Sequence, residues 1–299
     1  MCETIDSVAI NFNKESVFLL NICVAFIMFG VALDIQLKDF KRIFQSPKIP
    51  LVGLFSEYVL LPIITLILIA IFRPAPSFAL GMILLTTCPG GSVSNYMVHL
   101  SKGNSALSIT LTSVTTLGAI ILTPLGFTLL AKIFPYTSDF LRSIDVSPID
   151  MIQSIVLIIV VPLTLGMLCR AKLPQLTARI QQPIGALSMI IFLGFVTVAI
   201  INNWENIAAY VHCVFLIVTI HNGLALLTGF SFARFMGLTK RDARAVSLET
   251  GIQNTALGLA IAFQFFDGLG GMTMVLAWWG IWHLFSGFLM ALVWRRSSV

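Results

Sequence analysis

The chain has 299 residues, of which 58% are hydrophobic and only 10% are charged, whereas soluble domains carry about 25% charged residues. Its mean hydropathy of +0.97 and its apolar stretches of roughly 20 residues indicate helices that cross a bilayer, and they exclude a soluble protein and an outer-membrane barrel, whose strands are shorter and alternate. The net charge of +5 is expected to report membrane topology rather than nucleic-acid binding.

The polar start of the chain lacks the basic residues and the cleavage site of a signal peptide, so the first apolar segment is expected to be a retained helix. Including this first one, the chain has nine apolar segments, which are separated by charged residues or by Pro, Gly and Asn. They cover residues 16–36, 50–72, 77–100, 104–133, 149–169, 183–201, 207–235, 241–266 and 269–294. We therefore predict an all-α polytopic membrane protein with nine transmembrane helices.

The basic residues are distributed unevenly over the connections between these segments. One side of the predicted membrane carries 14 of the 18, namely Lys38, Lys41, Arg42, Lys48, Lys102, Arg170, Lys172, Arg179, Arg234, Lys240, Arg241, Arg244, Arg295 and Arg296. The positive-inside rule places that side in the cytoplasm. We expect a multi-pass protein of the cell inner (plasma) membrane, with residues 1–15 outside and residues 295–299 as a cytoplasmic tail.

Two segments are interrupted by polar runs. The third contains the run 86–95, in which Pro89 removes a backbone donor and Gly90 and Gly91 favour non-helical dihedrals, so a break is predicted there. In the eighth, the run 249–255 follows only the short stretch 243–248, which cannot cross a membrane. That run must lie deep, where unpaired backbone is tolerated only beside protein or a water-filled cavity.

The interrupted segments occupy corresponding places in the two halves of the chain, each between two plain segments. Residues 16–133 are predicted to form a first repeat of four helices and residues 149–294 a second repeat of five, with corresponding segments crossing in opposite directions. Paired broken helices in inverted halves are the sequence pattern that best indicates the midplane site of a transporter.

Only two of the thirteen acidic residues, Glu57 and Glu249, lie well inside predicted spans. A buried ionised carboxylate is costly and needs a cation, a proton or several donors. A protonated glutamate that joins two helices is the alternative for a lone residue. Glu249 is accompanied by Gln253, Asn254 and broken backbone, which favours a functional role.

Side chains with oxygen atoms that suit a hard cation such as sodium flank the two interruptions. If the interruptions cross, a ligand set could come from Ser94, Asn95, Ser108, Thr112 and Glu249. Ser108 and Thr112 are i and i+4 on the fourth segment and share a face. For that pair alone, the alternative to ion binding is a packing role, in which each hydroxyl bonds the carbonyl four residues earlier in its own helix.

Two histidines, His221 and His283, also lie within predicted spans. No metal-binding spacing supports them, so structural histidines are favoured. An intramembrane enzyme in which Glu249 works with either histidine as acid and base is the alternative from another class. That alternative lacks a recognisable nucleophile or metal set.

The motifs resemble the two signatures of the bile acid:sodium symporter family, in particular of a bacterial-type member. The first signature is similar to the run 88–95 with Gly103-Asn104 and Leu107-Ser108, the second to 249–254, and further similarity lies at His221-Asn222-Gly223 and Trp282-His283. The resemblance covers residues 20–294. It implies a core domain with two crossed broken helices, a flatter panel domain and a cavity for an anion between them.

The resemblance also implies two sodium sites and an anion site. The first sodium site would use Ser94, Asn95, Ser108, Thr112 and Glu249. The second would use Glu57, Glu249, the carbonyls of Thr250 and Ile252, and Gln253. The anion would lie near Ser92, Val93, Asn254 and His283, beside the ends of the broken helices, because helix N-termini favour anionic groups.

Two positions depart from the family pattern: Glu57 stands where members with two sodium sites often have Gln, and Leu284 where related bacterial members often have Asn. The first leaves open whether the second ion is sodium or a proton, and the second predicts a different or less polar substrate contact.

The predicted function is sodium-coupled symport, by alternating access, of an organic anion that is bile-acid-like or a small carboxylate such as pantoate or a keto acid. A proton-coupled transporter and a channel are the alternatives. The expected partners are the anion, sodium ions and membrane lipid, and no nucleic acid.

Overall fold

A computed structural model describes residues 5–6, 14–35, 47–144, 149, 152–153 and 156–297, and helices account for nearly all of them. We number the helices α1 Lys14–Asp34, α2 Lys48–Phe72, α3 Pro76–Thr87, α4 Val93–Leu100, α5 Ser105–Ala131, α6 Pro135–Ile144, α7 Val161–Lys172, α8 Pro174–Asn202, α9 Trp204–Phe235, α10 Lys240–Gly251, α11 Thr255–Phe265 and α12 Gly270–Arg296. The all-α prediction is therefore confirmed for this part of the chain.

Each of the nine predicted segments overlaps one of these helices or, where it is interrupted, a pair of them. The short helix α6, between the two predicted repeats, was not expected. Most of the predicted extracytoplasmic segment 1–15, the connection with Lys38, Lys41 and Arg42, and much of the start of the fifth segment lie outside the described residues. The repeat boundaries and the number of helices that cross the membrane stay predictions.

Four stretches of the described chain are long and apolar enough to cross a membrane: Lys48–Phe72, Ser105–Ala131, Val214–Phe235 and Gly270–Arg296. Large apolar side chains remain exposed on their outer faces, including Ile71, Leu129 and Leu227, each at least 60% exposed. Such exposure is expected of helices in lipid, because lipid tails are as apolar as the side chains and do not drive them inward.

Helix α2 contains a π-helical turn over Ser56–Leu60, closed by a hydrogen bond from the Leu61 amide to the Ser56 carbonyl. Pro62 follows directly, and a proline lacks the N–H of a regular turn and its ring collides with the carbonyl four residues earlier. The wider turn accommodates that ring. It also carries Glu57, whose side chain is completely buried.

The two broken segments meet at their breaks. The crossing that the family resemblance implied, and on which the predicted ligand set depended, is therefore present. Helix α3 gives way to α4 over residues 88–92, and α10 to α11 over residues 252–254. Gly90 pairs with Gln253 in an isolated antiparallel bridge. The Gly91 amide donates to the Ile252 carbonyl, and the Asn254 amide donates to the Pro89 carbonyl, both at 2.8 Å. Each break therefore supplies the hydrogen-bond partners that the other lacks, which is essential where water is absent.

Gly90 and Gly91 lie in a non-helical break, as predicted, but without positive φ. The glycines with positive φ in the described chain are Gly237 and Gly268, so neither glycine of the break needs an unusual dihedral. They are needed because two segments approach closely: a Cβ on Gly91 would lie 3.0 Å from the Gln253 carbonyl oxygen. Steric contact between the breaks, rather than backbone freedom, selects glycine here.

Side chains from neighbouring helices satisfy the carbonyls that the breaks expose. Thr123 on α5 donates to the carbonyl of Thr87, the last residue of α3, at 2.7 Å. Asn222 on α9 donates to the carbonyl of Gly251, the last residue of α10, also at 2.7 Å. A helix end inside the membrane would otherwise leave these groups unpaired.

The remaining helices pack around this crossing in two groups. Close approach at glycines joins α3 to α12 and α9 to α10: a Cβ on Gly81 would lie 2.8 Å from the Met272 Cα, and one on Gly229 would lie 2.8 Å from the Ser247 Cα. Helix α1 instead packs against α7 and α8, with Gly166 of α7 against Ala32. This grouping supports the predicted division into core and panel domains, which stays a prediction.

Candidate functional site

The carboxylate of Glu249 lies at the crossing, two residues before the end of α10, and is 1% exposed. Its Oε1 atom accepts hydrogen bonds from the hydroxyls of Ser94 at 2.5 Å, of Ser108, and of Thr112 at 3.1 Å. The Thr112 hydroxyl also lies 3.0 Å from Oε2. A broken helix (α4) and a continuous one (α5) thus direct hydroxyls at one buried carboxylate.

Asn95 completes this first cluster. Its Oδ1 atom accepts from the Ser108 hydroxyl at 2.7 Å and from the Thr112 hydroxyl at 3.3 Å. The structure therefore brings together all five residues predicted for the first ion site. Thr112 also contacts the Ser108 carbonyl at 3.1 Å, so packing within its own helix and contact with Glu249 both occur.

Glu57 and Glu249 both approach Gly90. A Cβ on Gly90 would lie 2.6 Å from Glu249 Oε2 and 3.4 Å from Glu57 Oε1. Glu57 is 0% exposed, and none of the described residues donates a well-formed hydrogen bond to either of its oxygens. Two carboxylates thus share one buried region, which is costly unless a positive charge or a proton lies with them.

Gln253 and its neighbours border the same region. Gln253 Oε1 is buried and has no donor among the described residues, while its Nε2 atom donates to the Thr250 carbonyl at 3.1 Å. The Ile252 carbonyl already accepts from Gly91, which leaves it one lone pair. The Ser56 and Thr250 hydroxyls, 2.8 Å apart, hold α2 against α10. Of the predicted second set, Glu57 and Gln253 therefore offer acceptor oxygens that lack donors.

The composition of both clusters determines which ion they could hold. They consist of carboxylate, hydroxyl, amide and carbonyl oxygens, which are ligands of hard cations. Within the described chain, no three His, Cys, Asp or Glu residues come together in the way that zinc or another transition metal requires. The site is therefore suited to an ion such as sodium.

A cavity of about 600 Å³ adjoins the crossing. All four residues predicted to contact the anion line it: Ser92 and Val93 at the start of α4, Asn254 at the start of α11, and His283 on α12. Leu284, the second departure from the family pattern, also lines it. The cavity thus lies where the N-terminal turns of two half-helices meet.

The opposite wall of the cavity was not predicted. It is formed by α1 and α8, through Ile27, Gly30, Val31, Gln181, Gln182, Gly185, Ala186 and Ser188. The predicted sixth segment began at residue 183, whereas α8 begins at Pro174 and so includes the two glutamines. The signal in the sequence that could have indicated this wall was the polar pair Gln181 and Gln182, directly before the apolar stretch.

The two histidines have different environments. The Thr65 hydroxyl donates to the Leu61 carbonyl at 2.8 Å, so His221 Nε2, 2.8 Å from that hydroxyl, is the donor between them. The His221 ring also packs edge-on against Trp279, with centroids 4.9 Å apart. These contacts agree with a structural role for His221, which stays a prediction because its buried Nδ1 atom has no partner among the described residues. His283, in contrast, lines the cavity.

Comparison with known proteins was made on the whole chain. The model of the family described as the Sodium Bile acid symporter family matches residues 21–210, a range that contains the first break and ends before the second. The uncharacterized sodium-dependent transporter YocS of Bacillus subtilis is 30% identical over 278 residues, which cover 93% of this chain and 83% of that protein.

Two eukaryotic proteins show similar identity. The human ileal sodium/bile acid cotransporter is 29% identical over 240 residues, which cover 80% of this chain and 67% of that protein. An Arabidopsis thaliana protein named "Probable sodium/metabolite cotransporter BASS1, chloroplastic" is 28% identical over 275 residues, which cover 91% of this chain and 65% of that protein.

Proposed function

Because the chain belongs to the sodium bile acid symporter family, we propose that it is a secondary transporter that couples the movement of sodium to that of an organic anion. The observation that carries this proposal is the convergence of Ser94, Ser108 and Thr112 on the Glu249 carboxylate at the crossing, beside the cavity. The relatives are named as transporters and cotransporters, and the chain is accordingly a transporter rather than an enzyme.

The first sodium ion would bind among Ser94, Asn95, Ser108, Thr112 and Glu249. The hydroxyls that now donate to Glu249 would turn their oxygen lone pairs toward the ion, and the carboxylate would supply the negative charge. The second ion would bind between Glu57 and Glu249, where Gln253 Oε1 and the carbonyls of Thr250 and Ile252 complete an oxygen shell. A cation there would relieve the repulsion between the two carboxylates.

The anion would bind in the cavity at the starts of α4 and α11. Of the described residues that line this cavity, none is Lys or Arg. The partial positive charge of two helix N-termini, together with Asn254 and His283, would therefore balance the anion. Sodium bound at the crossing would fix the positions of those N-termini, and this links ion binding to anion binding.

The cavity supports a cytoplasm-facing state. By the predicted topology, α4 runs from the crossing toward the basic side of the membrane, and Tyr96 on that helix both lines the cavity and is 62% exposed. The glutamines at 181 and 182 lie near the start of α8, on the same predicted side. In alternating access, the group of α1, α7 and α8 would move against the crossing to close this side and open the other.

The substrate is proposed as a class. The names of the relatives speak of bile acids and of metabolites, and the cavity could hold either a bile-acid-like anion or a small carboxylate such as pantoate or a keto acid. Leu284 in the wall beside His283 favours an anion with an apolar portion next to its charged group.

Uptake by the purified protein in liposomes tests the proposal. Radiolabelled taurocholate, pantoate and pyruvate are supplied outside, with an inward sodium gradient or with equal sodium on both sides. We expect accumulation of at least one anion above its external concentration with the gradient only. Entry of all anions without accumulation would indicate a channel, and accumulation driven equally by a proton gradient in sodium-free buffer would indicate proton coupling.

Glu57 gives a prediction about the second ion. Replacing Glu57 by Gln keeps an oxygen ligand but removes a charge, so we expect the sodium concentration for half-maximal uptake to rise about 3- to 10-fold, with anion uptake still measurable and little new dependence on pH. The measurement is uptake against sodium concentration at several pH values. Glu205→Gln, at an exposed carboxyl near the start of α9, is the matched control.

The opposite result is equally specific. If the native protein accumulates the anion on a proton gradient alone, and if Glu57→Gln removes that ability, the second ion is a proton and the sodium assignment at Glu57 is wrong.

A further inference from the structure

A chain of two hydrogen bonds joins three helices at the end of α10. Asn222 on α9 is fully buried, and its Nδ2 atom donates to the Gly251 carbonyl at 2.7 Å. The Ser286 hydroxyl on α12 donates to Asn222 Oδ1 at 2.6 Å. Because the Gly251 carbonyl can only accept, the Asn222 amide directs its Nδ2 atom toward Gly251 and its Oδ1 atom toward the Ser286 hydroxyl, which then donates.

Ser286 belongs to a stretch of α12 that also contacts the cavity and the break. His283 and Leu284, which precede it, line the cavity wall. Gly287, which follows it, lies so close to the break that an added Cβ would be 2.9 Å from Ile252 Cδ1. One turn of α12 therefore contacts the cavity, the Asn222 amide and the second break.

The corresponding end of α3 is held differently. The Thr123 hydroxyl donates directly to the Thr87 carbonyl, and no third helix takes part in that bond. We call the chain of hydrogen bonds from Ser286 through Asn222 to the Gly251 carbonyl the relay. It lies at the end of α10 and not at the end of α3, and α10 is the half-helix whose last residues carry Glu249 and the Thr250 carbonyl.

We infer that Asn222 and Ser286 are positioning residues that hold the end of α10 in the geometry needed for the second cation, and that they link this geometry to the cavity wall on α12. Neither residue belongs to the proposed cation sites or is among the residues that line the cavity. This inference rests on the proposed function, because it assigns the relay to coupling between the cation and the anion. Loss of the Ser286 hydroxyl frees the Asn222 amide to rotate, and loss of Asn222 leaves the Gly251 carbonyl unpaired.

Two readouts test the relay. In uptake measurements, Ser286→Ala is expected to raise the sodium concentration for half-maximal uptake about 3- to 10-fold, and Asn222→Ala more, because an orphaned buried carbonyl disturbs the break directly. The anion KM at saturating sodium should stay within about twofold, since the cavity residues are retained. Ser286→Thr keeps the hydroxyl and should restore native sodium dependence.

The second readout does not depend on transport. Hydrogen exchange of a peptide that contains residues 252–254 should be faster in Ser286→Ala and Asn222→Ala than in the native protein. The matched control is Thr273→Val on the same helix, because the Thr273 hydroxyl bonds the Leu269 carbonyl of its own helix. Thr273→Val should leave both readouts unchanged.

The outcomes separate this inference from the proposed function. A lower maximal rate at an unchanged sodium half-saturation, or an unchanged exchange rate at the break, would refute the relay even if native uptake is sodium-driven. If native uptake proves independent of sodium, the proposed function is refuted, and the coupling role of the relay with it, whatever the exchange rates show.

Discussion

Replacing Glu249 by alanine is expected to abolish sodium-driven uptake. The carboxylate accepts from three hydroxyls and lies near Glu57 beside Gly90, so both proposed cation sites depend on it. Removing one partner of a buried charge pair costs about 3–5 kcal/mol, which corresponds to a loss of at least about 100-fold in sodium affinity. The measurement is initial uptake rate against sodium concentration in liposomes that contain equal amounts of protein.

Two further variants distinguish loss of a ligand from loss of the fold. Glu249→Gln keeps the shape of the side chain and one acceptor oxygen for the surrounding hydroxyls, so it should insert and fold as the native protein does, yet transport poorly. Glu205→Ala removes an exposed carboxyl and should transport normally. Normal sodium-dependent uptake by a well-expressed Glu249→Ala protein would refute the assignment of both cation sites.

Gly90→Val is expected to reduce uptake at least about 100-fold, by a steric route. Even a single methyl group at this position would lie 2.6 Å from Glu249 Oε2, well inside contact distance, and 3.4 Å from Glu57 Oε1, in van der Waals contact. The added group would displace the Glu249 carboxylate and occupy the space beside both carboxylates where a cation is proposed to bind. Gly90→Ala should show the same defect in a milder form. Sodium-dependent uptake and sodium-dependent thermal stabilisation of the purified protein would both be measured.

The control must be a glycine without close neighbours. Gly126 on α5 is unsuitable, because an added Cβ would lie 3.2 Å from the Thr87 side chain at the end of α3. Apart from the neighbouring backbone of α9 itself, no heavy atom of the described residues lies within 4 Å of a Cβ on Gly223. Gly223→Ala and Gly223→Val therefore report the cost of a new side chain in a helix alone. Equal losses at Gly90 and Gly223 would show that the first break is not a special position.

The sequence predicted the first cluster well because polar residues inside apolar spans are conspicuous. Each residue of this cluster is polar and therefore unfavourable in lipid, and hydrogen bonds among them are the simplest way to lower that free-energy cost. The residues are Ser94, Asn95, Ser108, Thr112 and Glu249. The breaks could be predicted for a similar reason, since proline and glycine act locally. The observed breaks, 88–92 and 252–254, begin or end one to three residues inside the predicted runs. At the second break, for example, helical hydrogen bonds continue through Glu249 to Gly251.

Features that depend on contacts between distant segments could not be predicted. The cavity wall on α1 and α8 includes Ile27 and Val31, and an apolar residue that faces a cavity looks like one that faces lipid. The role of Gly90 depends on which atoms lie opposite it. The π-helical turn that carries Glu57 depends on how α2 accommodates Pro62, and the segment pattern gave no sign of it.

The paired breaks also have a consequence for how the protein is made. Pro89 and Gly91 lie in the first half of the chain, while their partners Asn254 and Ile252 lie in the second. During synthesis, the first interrupted segment therefore enters the membrane before any partner for its broken backbone exists. An unpaired backbone group in hydrocarbon costs several kcal/mol, so this segment must be sheltered, by the insertion machinery or by water, until the second half arrives. The crossing therefore forms late in biogenesis, when the second interrupted segment is inserted and its backbone pairs with that of the first.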